Sequence, residues 1–258
     1  ELIIFDNTGQ LDEKTTQEKV KSRLIKVSNA VIPGFYGINY NGDIKTFSRG
    51  GSDITGSIIA NGLSSILYEN WTDVSGFLMA DPHIVKNPKH IETITYKELR
   101  ELSYMGAPVL HEEAIFPVKN SGIPINIKNT NFPEEPGTMI VDDSSTISYV
   151  GTITGIAGKR NFTAISIEKT LMGNEKGFFR KLISVFETND ILIEHMPSSI
   201  DSISVIVADS EINSKLEKVI EEIRIYCNPD NIVCYPDMAL IAVVGRGMIK
   251  TKGISAKV

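Results

Sequence analysis

Residues 46–63 read TFSRGGSDITGSIIANGL: a short apolar lead, a charged and glycine-rich turn, then apolar residues at helical spacing. Ile54, Ile58, Ile59, Leu63, Ile66 and Leu67 recur at three- and four-residue intervals, which predicts a helix from about Ile54 with Ser52 or Asp53 capping its first turn. The run RGGSD in front of it admits two readings. One is a Gly-Gly turn into a capped helix. The other is a site for an anionic group: Gly50 and Gly51 allow close backbone approach, the helix start offers free N–H groups and a positive dipole end, and Arg49 adds a planar fork suited to a carboxylate or phosphate. Ser52 can hydrogen-bond the same ligand. Asp53 suits either the helix cap or an ammonium group, and an α-amino acid carries both charges.

Working outward, ELIIFDNTG (1–9) reads as an apolar strand running into a turn, without an initiator methionine, as though the chain starts inside a domain. Glu13–Lys26 suggests an amphipathic helix carrying Val20, Leu24 and Ile25, and Ala30-Val31-Ile32 a short buried strand ending at Pro33-Gly34. Asn41-Gly42 between Ile38 and Ile44 signals a hairpin within 35–48. Downstream, a strand is expected around Ser65–Trp71, helices at Tyr96–Tyr104 and Leu110–Lys119 around Gly106-Ala107-Pro108, and a strand at Ile123–Ile127. Strands alternating with helices of this length imply an α/β layered domain with a largely parallel sheet.

NFPEEPG (131–137) reads as a turn-rich exit, which places a domain boundary near residue 145, dividing 1–145 from 146–258. Beyond it, strands at Phe162–Glu168, Ile191–Met196, Ser202–Ala208 and Met238–Val244 alternate with helices at Gly177–Phe186 and Ile212–Tyr226. That order, βαββαβ, is a ferredoxin-like sandwich. Gly245-Arg246-Gly247 followed by TKGISAKV resembles the start of a second such unit.

With 258 residues, 41% of them hydrophobic and 22% charged, and a mean hydropathy of −0.02, the chain can bury a sizeable core. A net charge of −6 and a pI near 5.3 argue against a broad nucleic-acid or anionic-membrane surface. No apolar run approaches the ~20 residues of a membrane span. Cys227 and Cys234 form neither a C-x-x-C pair nor a disulfide framework, so buried reduced thiols in a cytoplasmic protein are expected. His83, His90, His111 and His195 match no metal-ligand spacing, and no metal site is expected from them.

A second polar run, ENWTDVSGFLMADP (69–82), puts Thr72, Asp73, Ser75 and Asp81 in the loop after an expected parallel strand, where α/β proteins bind ligands. Such a loop can meet a nucleotide ribose or hold Mg²⁺ through water; a solvated loop is the alternative. Neither G-x-x-x-x-G-K-[ST] nor G-x-G-x-x-G occurs, so a phosphate site would need a different scheme.

PGFYG (33–37), FSRGGSD (47–53), WTDVSGFLMADP (71–82), ELSYMGAPVLHEEAIFPV (101–118) and IPINIKNT (123–130), in this order and at these separations, resemble the aspartokinase family along nearly the whole chain. The resemblance implies the amino-acid-kinase fold followed by ACT regulatory domains, and phosphoryl transfer from MgATP to the side-chain carboxylate of L-aspartate. The product would be 4-phospho-L-aspartate, toward lysine, threonine and methionine. By resemblance, Phe35, Arg49, Ser52 and Asp53 hold aspartate, with Arg49 on the α-carboxylate and Asp53 near the α-amino group. Thr72, Asp73 and Asp81 fall at the ATP pocket. Met172, Glu175, Phe178, Phe179, Ile193, Glu194 and Ser199 fall where lysine-sensitive relatives bind the effector, although Phe178 and Phe179 also read as helix core. A lysine or threonine effector, and a homodimer or homotetramer formed through ACT pairing, are implied.

The chain departs from the family pattern in three places. The amino-terminal K-F-G-G-S/T segment with its phosphate-binding lysine is absent, Pro108 stands where many relatives have lysine, and His83 stands where an arginine is common. A noncatalytic amino-acid sensor of the same fold is the alternative function.

Overall fold

In the computed structural model the described residues are 1–47, 49–106, 112–142 and 151–256. The chain divides into two compact units, residues 1–157 with 242–258, and residues 158–241. Residues 143–150, around the expected boundary at 145, lie outside the described residues.

In the first unit, β1 (Ile4–Phe5) leads through α1 (Glu13–Leu24) to β2 (Tyr36–Asn39), which it pairs in parallel, and β2 turns back antiparallel into β3 (Ile44–Thr46). Asp12 caps α1 by accepting from the Thr15 N–H at 3.0 Å. The expected hairpin is present: Asn39 Oδ1 accepts from the N–H groups of Asn41 and Asp43, closing the turn at Asn41-Gly42. Ala30–Ile32 is not a strand, because Val31 is fully exposed and three apolar residues find no strand partner among the described residues.

The helix after RGGSD is α2 (Gly51–Gly62), and it begins earlier than expected. Gly50 is its N-cap in the left-handed region (φ 64°), without a side-chain cap, so neither Ser52 nor Asp53 caps it. Gly51 explains the difference. A Cβ there would lie 2.5 Å from Phe35 Cδ2 and 2.9 Å from Phe47 Cβ, so the helix starts where only glycine fits beneath two aromatic residues. Phe35 itself has φ 81°, rare for a non-glycine residue, and is fixed by its N–H donating to Thr55 Oγ1 and its carbonyl accepting from the Phe47 N–H. At the other end the Ser65 N–H bonds the Ala60 carbonyl and Ile66 is exposed, so the next strand is β4 (Tyr68–Thr72), later than expected.

Next come β5 (Phe77–Leu78), β6 (His90–Ile91), β7 (Thr93–Thr95), α3 (Tyr96–Tyr104), α4 (Glu112–Lys119), β8 (Ile125–Asn129) and β9 (Thr138–Val141). One sheet has the order β4-β8-β9-β7, with β4–β8 and β7–β9 parallel and β8–β9 antiparallel; β5 and β6 form a separate antiparallel pair. Along β8, Ile125, Ile127 and Asn129 are buried and alternate with half-buried residues, the period-two signature of a strand. Helix α2 packs against α1 and α4, and Ile58, Leu99, Ile125, Ile127 and Ile140 lie in one core.

Residues Gly155–Glu168 form β10, Phe178–Thr188 α5, Ile193–His195 β11, Ser202–Ala208 β12, Asp209–Ile212 α6, Leu216–Cys227 α7 and Asn231–Val244 β13. The sheet order β11-β12-β10-β13 gives the second unit a ferredoxin-like topology. The helix expected at Ile212–Tyr226 is broken at Lys215, whose N–H bonds the Ile212 carbonyl and whose ammonium reaches the Asn189 and Asp190 carbonyls. Met172, Phe178, Leu182, Phe186 and Ile223 are core, and Cys227 is buried among them as a free thiol. Among the described residues no helix is long and apolar enough to cross a membrane.

Within the first unit, Glu98 of α3 is buried at 4% exposure and holds three segments. It closes a capping box with Thr95, accepts from Thr154 Oγ1 at 2.6 Å and the Arg246 N–H at 3.1 Å, and faces Arg246 Nε at 3.5 Å. Burial pushes this carboxyl up, but the hydrogen bonds from Thr154, Thr95 and Arg246 outweigh it and hold the group below the ordinary 4.5.

Two outcomes follow. Gly51→Ala should cost about 1–3 kcal/mol in urea unfolding and alter the near-UV dichroism of Phe35 and Phe47; unchanged stability would refute the steric account. Because the folded-state pKa of Glu98 is lowered, its stabilisation is complete above about 4.5 and lost as pH falls through the folded value. Glu98→Gln should therefore flatten the acid limb of a stability-against-pH curve while lowering stability at neutral pH; a parallel downward shift would contradict this.

Candidate functional site

The four residues expected to hold an amino acid gather at the start of α2. Arg49 is exposed immediately before the Gly50-Gly51 turn, Ser52 is exposed on the first helical turn, and Phe35 packs across Gly51. Asp53, the third residue of α2, is half-buried. Freed from capping, its carboxylate is held from β4: Asn70 Nδ2 donates to Asp53 Oδ1 at 3.0 Å and to the Tyr68 hydroxyl at 3.2 Å, and that hydroxyl donates to the Asp53 carbonyl at 3.1 Å. Burial, with a smaller contribution from the Asp53 charge, pushes Tyr68 up to about 12 against the lowering effect of the Asn70 hydrogen bond. The phenol is therefore a proton donor throughout the neutral range.

A second cluster lies at the C-terminal ends of the parallel pair β4 and β8, where Thr72 is in register with Asn129. The Thr72 hydroxyl donates to exposed Asp73 at 3.2 Å, and the Thr72 carbonyl accepts from the Thr130 N–H and hydroxyl at 2.8 and 2.9 Å. Buried Asn129 donates to Ser75 Oγ and accepts from the Asn131 N–H, tying the two loops together. Lys128 places its ammonium 4.9 Å from the Trp71 ring centroid, a cation–π pair on the face of the two strands opposite to Thr72 and Asn129. Among the described residues Asp81 bonds within its own turn, its carboxylate accepting from the His83 N–H and its carbonyl from the Ile84 and Val85 N–H groups. His83 is exposed there. Pro108 and His111 lie outside the described residues.

The expected effector residues divide by environment. Met172 and Phe178 are buried core, and Phe179, in edge-to-face contact with Phe178 at 6.0 Å, is 40% exposed. Ile193 packs against that core, and Ser199 is exposed, its N–H on the Ser202 carbonyl. Glu194 lies 3.8 Å from Lys159. Glu175 is already held by Lys169 at 2.5 Å and Lys181 at 2.8 Å, which keep its carboxyl below the usual range.

Sequence reasoning passed over Tyr68, Asn70, Asn129 and Thr130. The available signal was strand parity. On a strand ending at Thr72, residues 68, 70 and 72 share one face, and an asparagine there is a buried polar group that must find a partner. Among the described residues, no group of three His, Cys, Asp or Glu side chains could hold a metal ion.

A family model described as "Amino acid kinase family" matches residues 6–129. Aspartokinase 3 of Bacillus subtilis (strain 168) is 42% identical over 228 residues, which cover 88% of this chain and 50% of that protein. Chloroplastic aspartokinase 1 of Arabidopsis thaliana is 34% identical over 201 residues, 75% of this chain and 35% of that one. The crystal structure of Clostridium acetobutylicum aspartate kinase, described as an allosteric enzyme, is 61% identical with a TM-score of 0.88 and covers 99% of this chain and 58% of that one. E. coli aspartokinase III in complex with lysine and aspartate has the same fold, at 23% identity and a TM-score of 0.71 over 95% of this chain and 55% of that one. The chain thus spans about half the length of the B. subtilis relative. Residues 6–129 match the amino acid kinase family, and nearly the whole chain is similar to aspartokinases.

Proposed function

We propose that the full-length protein transfers the γ-phosphoryl group of MgATP to the side-chain carboxylate of L-aspartate, forming 4-phospho-L-aspartate, the first intermediate toward lysine, threonine and methionine. The observation that carries this is the pair of opposite charges at one helix start. Exposed Arg49 meets the α-carboxylate as a two-pronged donor, beside the positive end of α2, and Asp53, held by neutral donors, keeps its charge for the α-ammonium. Ser52 and Phe35 complete that end of the pocket.

The nucleotide is assigned to the second cluster, with the base or ribose against Thr72 and Asp73; Asp81 shapes the neighbouring turn. Asp73 would hold the Mg²⁺ of MgATP through water, and the ion would supply charge neutralisation at the phosphates. Catalysis in this arrangement is positioning and charge neutralisation, since phosphoryl transfer asks little covalent chemistry of the protein.

Residues 1–145 are assigned to the catalytic part and 146–258 to an ACT regulatory region, of which 158–241 is the separate compact unit while its two flanks pack within the first; this region binds lysine or threonine and pairs subunits into a homodimer or homotetramer in the cytoplasm. Phe179 and Ser199 form the exposed rim of the effector site, backed from the core by Met172, Phe178 and Ile193, and Glu194 and Glu175 are the ammonium ligands. Since Lys169 and Lys181 occupy Glu175, an effector ammonium binds there by exchange.

The test is hydroxamate trapping of the acyl phosphate made by full-length protein from L-aspartate and MgATP, with and without lysine. Arg49→Ala should lower kcat/KM for aspartate roughly 10- to 100-fold, mainly through KM. Amino-acid binding without turnover would favour the sensor instead.

A further inference from the structure

The ring formed by Asp53, Asn70 and Tyr68 ties α2 to β4 and does more than fill space. Asn70 is 8% exposed, and both hydrogens of its amide are used, one on Asp53 Oδ1 and one on the Tyr68 hydroxyl. The Tyr68 hydroxyl in turn donates a hydrogen bond to the Asp53 carbonyl. It reaches α2 only because residue 56 is glycine: a Cβ there would lie 2.7 Å from the Tyr68 oxygen. Two neutral groups therefore fix Asp53 in both backbone and carboxylate.

Neutral donors matter here. A lysine or arginine in the place of Asn70 would neutralise Asp53 and compete with any cation offered to it, whereas an amide N–H orients the carboxylate and leaves its charge. Among the described residues Oδ1 alone is engaged, and no lysine or arginine pairs with Asp53.

We propose that Asn70, backed by Tyr68, is a positioning residue that orients the Asp53 carboxylate to receive the ammonium group of an amino-acid substrate, and so sets selectivity for substrates that carry one. This rests on the reading of α2 as the aspartate site. It makes ammonium recognition depend on a residue of β4, seventeen positions beyond the first turn of α2 that bears the charge.

The test is calorimetric binding and steady-state kinetics of the full-length protein with L-aspartate and with succinate, which lacks the amine. Asn70→Leu keeps the volume and removes the donors. It should raise KM for aspartate roughly 5- to 20-fold, change KM for ATP less than about twofold, and narrow the preference for aspartate over succinate by a similar factor. Tyr68→Phe removes a single hydroxyl and should give the same selective pattern at about 2- to 5-fold; it decides the matter if Asn70→Leu does not fold. An aspartate KM that is unchanged, a rise shared equally by ATP, or an unaltered succinate ratio overturns the positioning role. Wild-type protein that fails to bind L-aspartate overturns the underlying site reading instead.

Discussion

The close approach of Gly51 to Phe35 and Phe47 is the constraint on which the candidate site depends. With 2.5 Å between an imagined Cβ and the Phe35 ring, no other residue can open α2 at that depth. The left-handed Gly50 and the left-handed Phe35 are both consequences, since the chain must turn sharply to bring a helix start under two rings. Once the helix begins there, Arg49 is left outside on the turn, Ser52 falls on the first exposed position, and Asp53 is turned toward β4 rather than back over the helix end. The charge pair that reads as an amino-acid site is thus a by-product of one steric fit.

The chain handles its carboxylates in two different ways. Asp53 and Glu98 are held mainly by neutral donors: an asparagine amide for the first, threonine hydroxyls and backbone N–H groups for the second, with the Arg246 guanidinium only at 3.5 Å. Glu175 is instead clamped by two ammonium groups. A buried or half-buried carboxylate satisfied by N–H and O–H donors keeps its field, and that field acts on whatever cation comes near. A carboxylate clamped by lysines presents almost none. The difference separates a group that waits for a ligand from one that first closes its own loop.

How far the sequence could be read follows the range of each determinant. The Asn41-Gly42 hairpin, α3 with its Thr95–Glu98 capping box, and β12 between Ser202 and Ala208 are set by neighbours within a few residues, and their local signals were sufficient. The start of α2 was misjudged because its determinant is a tertiary contact from residues 35 and 47, which no capping rule contains. Ala30–Ile32 had the composition of a strand but not the partner. The same limit applies to the site. Arg49 and Asp53 stood out as charges beside glycines, whereas Asn70 and Asn129 depend on which face of a strand meets which loop, and parity alone offered a hint of that.

The clamped state of Glu175 also shapes what regulation can look like in this chain. Lys169 and Lys181 are tethered beside it, so each competes at an effective concentration that a free amino acid does not reach in solution. An effector ammonium therefore gains little from Glu175 by charge alone. Yet Glu175 is partly exposed, and ion pairs of that kind add little to stability. Exchange of one lysine for an effector costs little once other contacts hold the effector in place. Phe179 at the rim and Glu194 on β11 can supply such contacts. Selectivity for an effector would then come from its shape and second charge, with Glu175 acting as a latch whose closed state is made by the chain's own lysines.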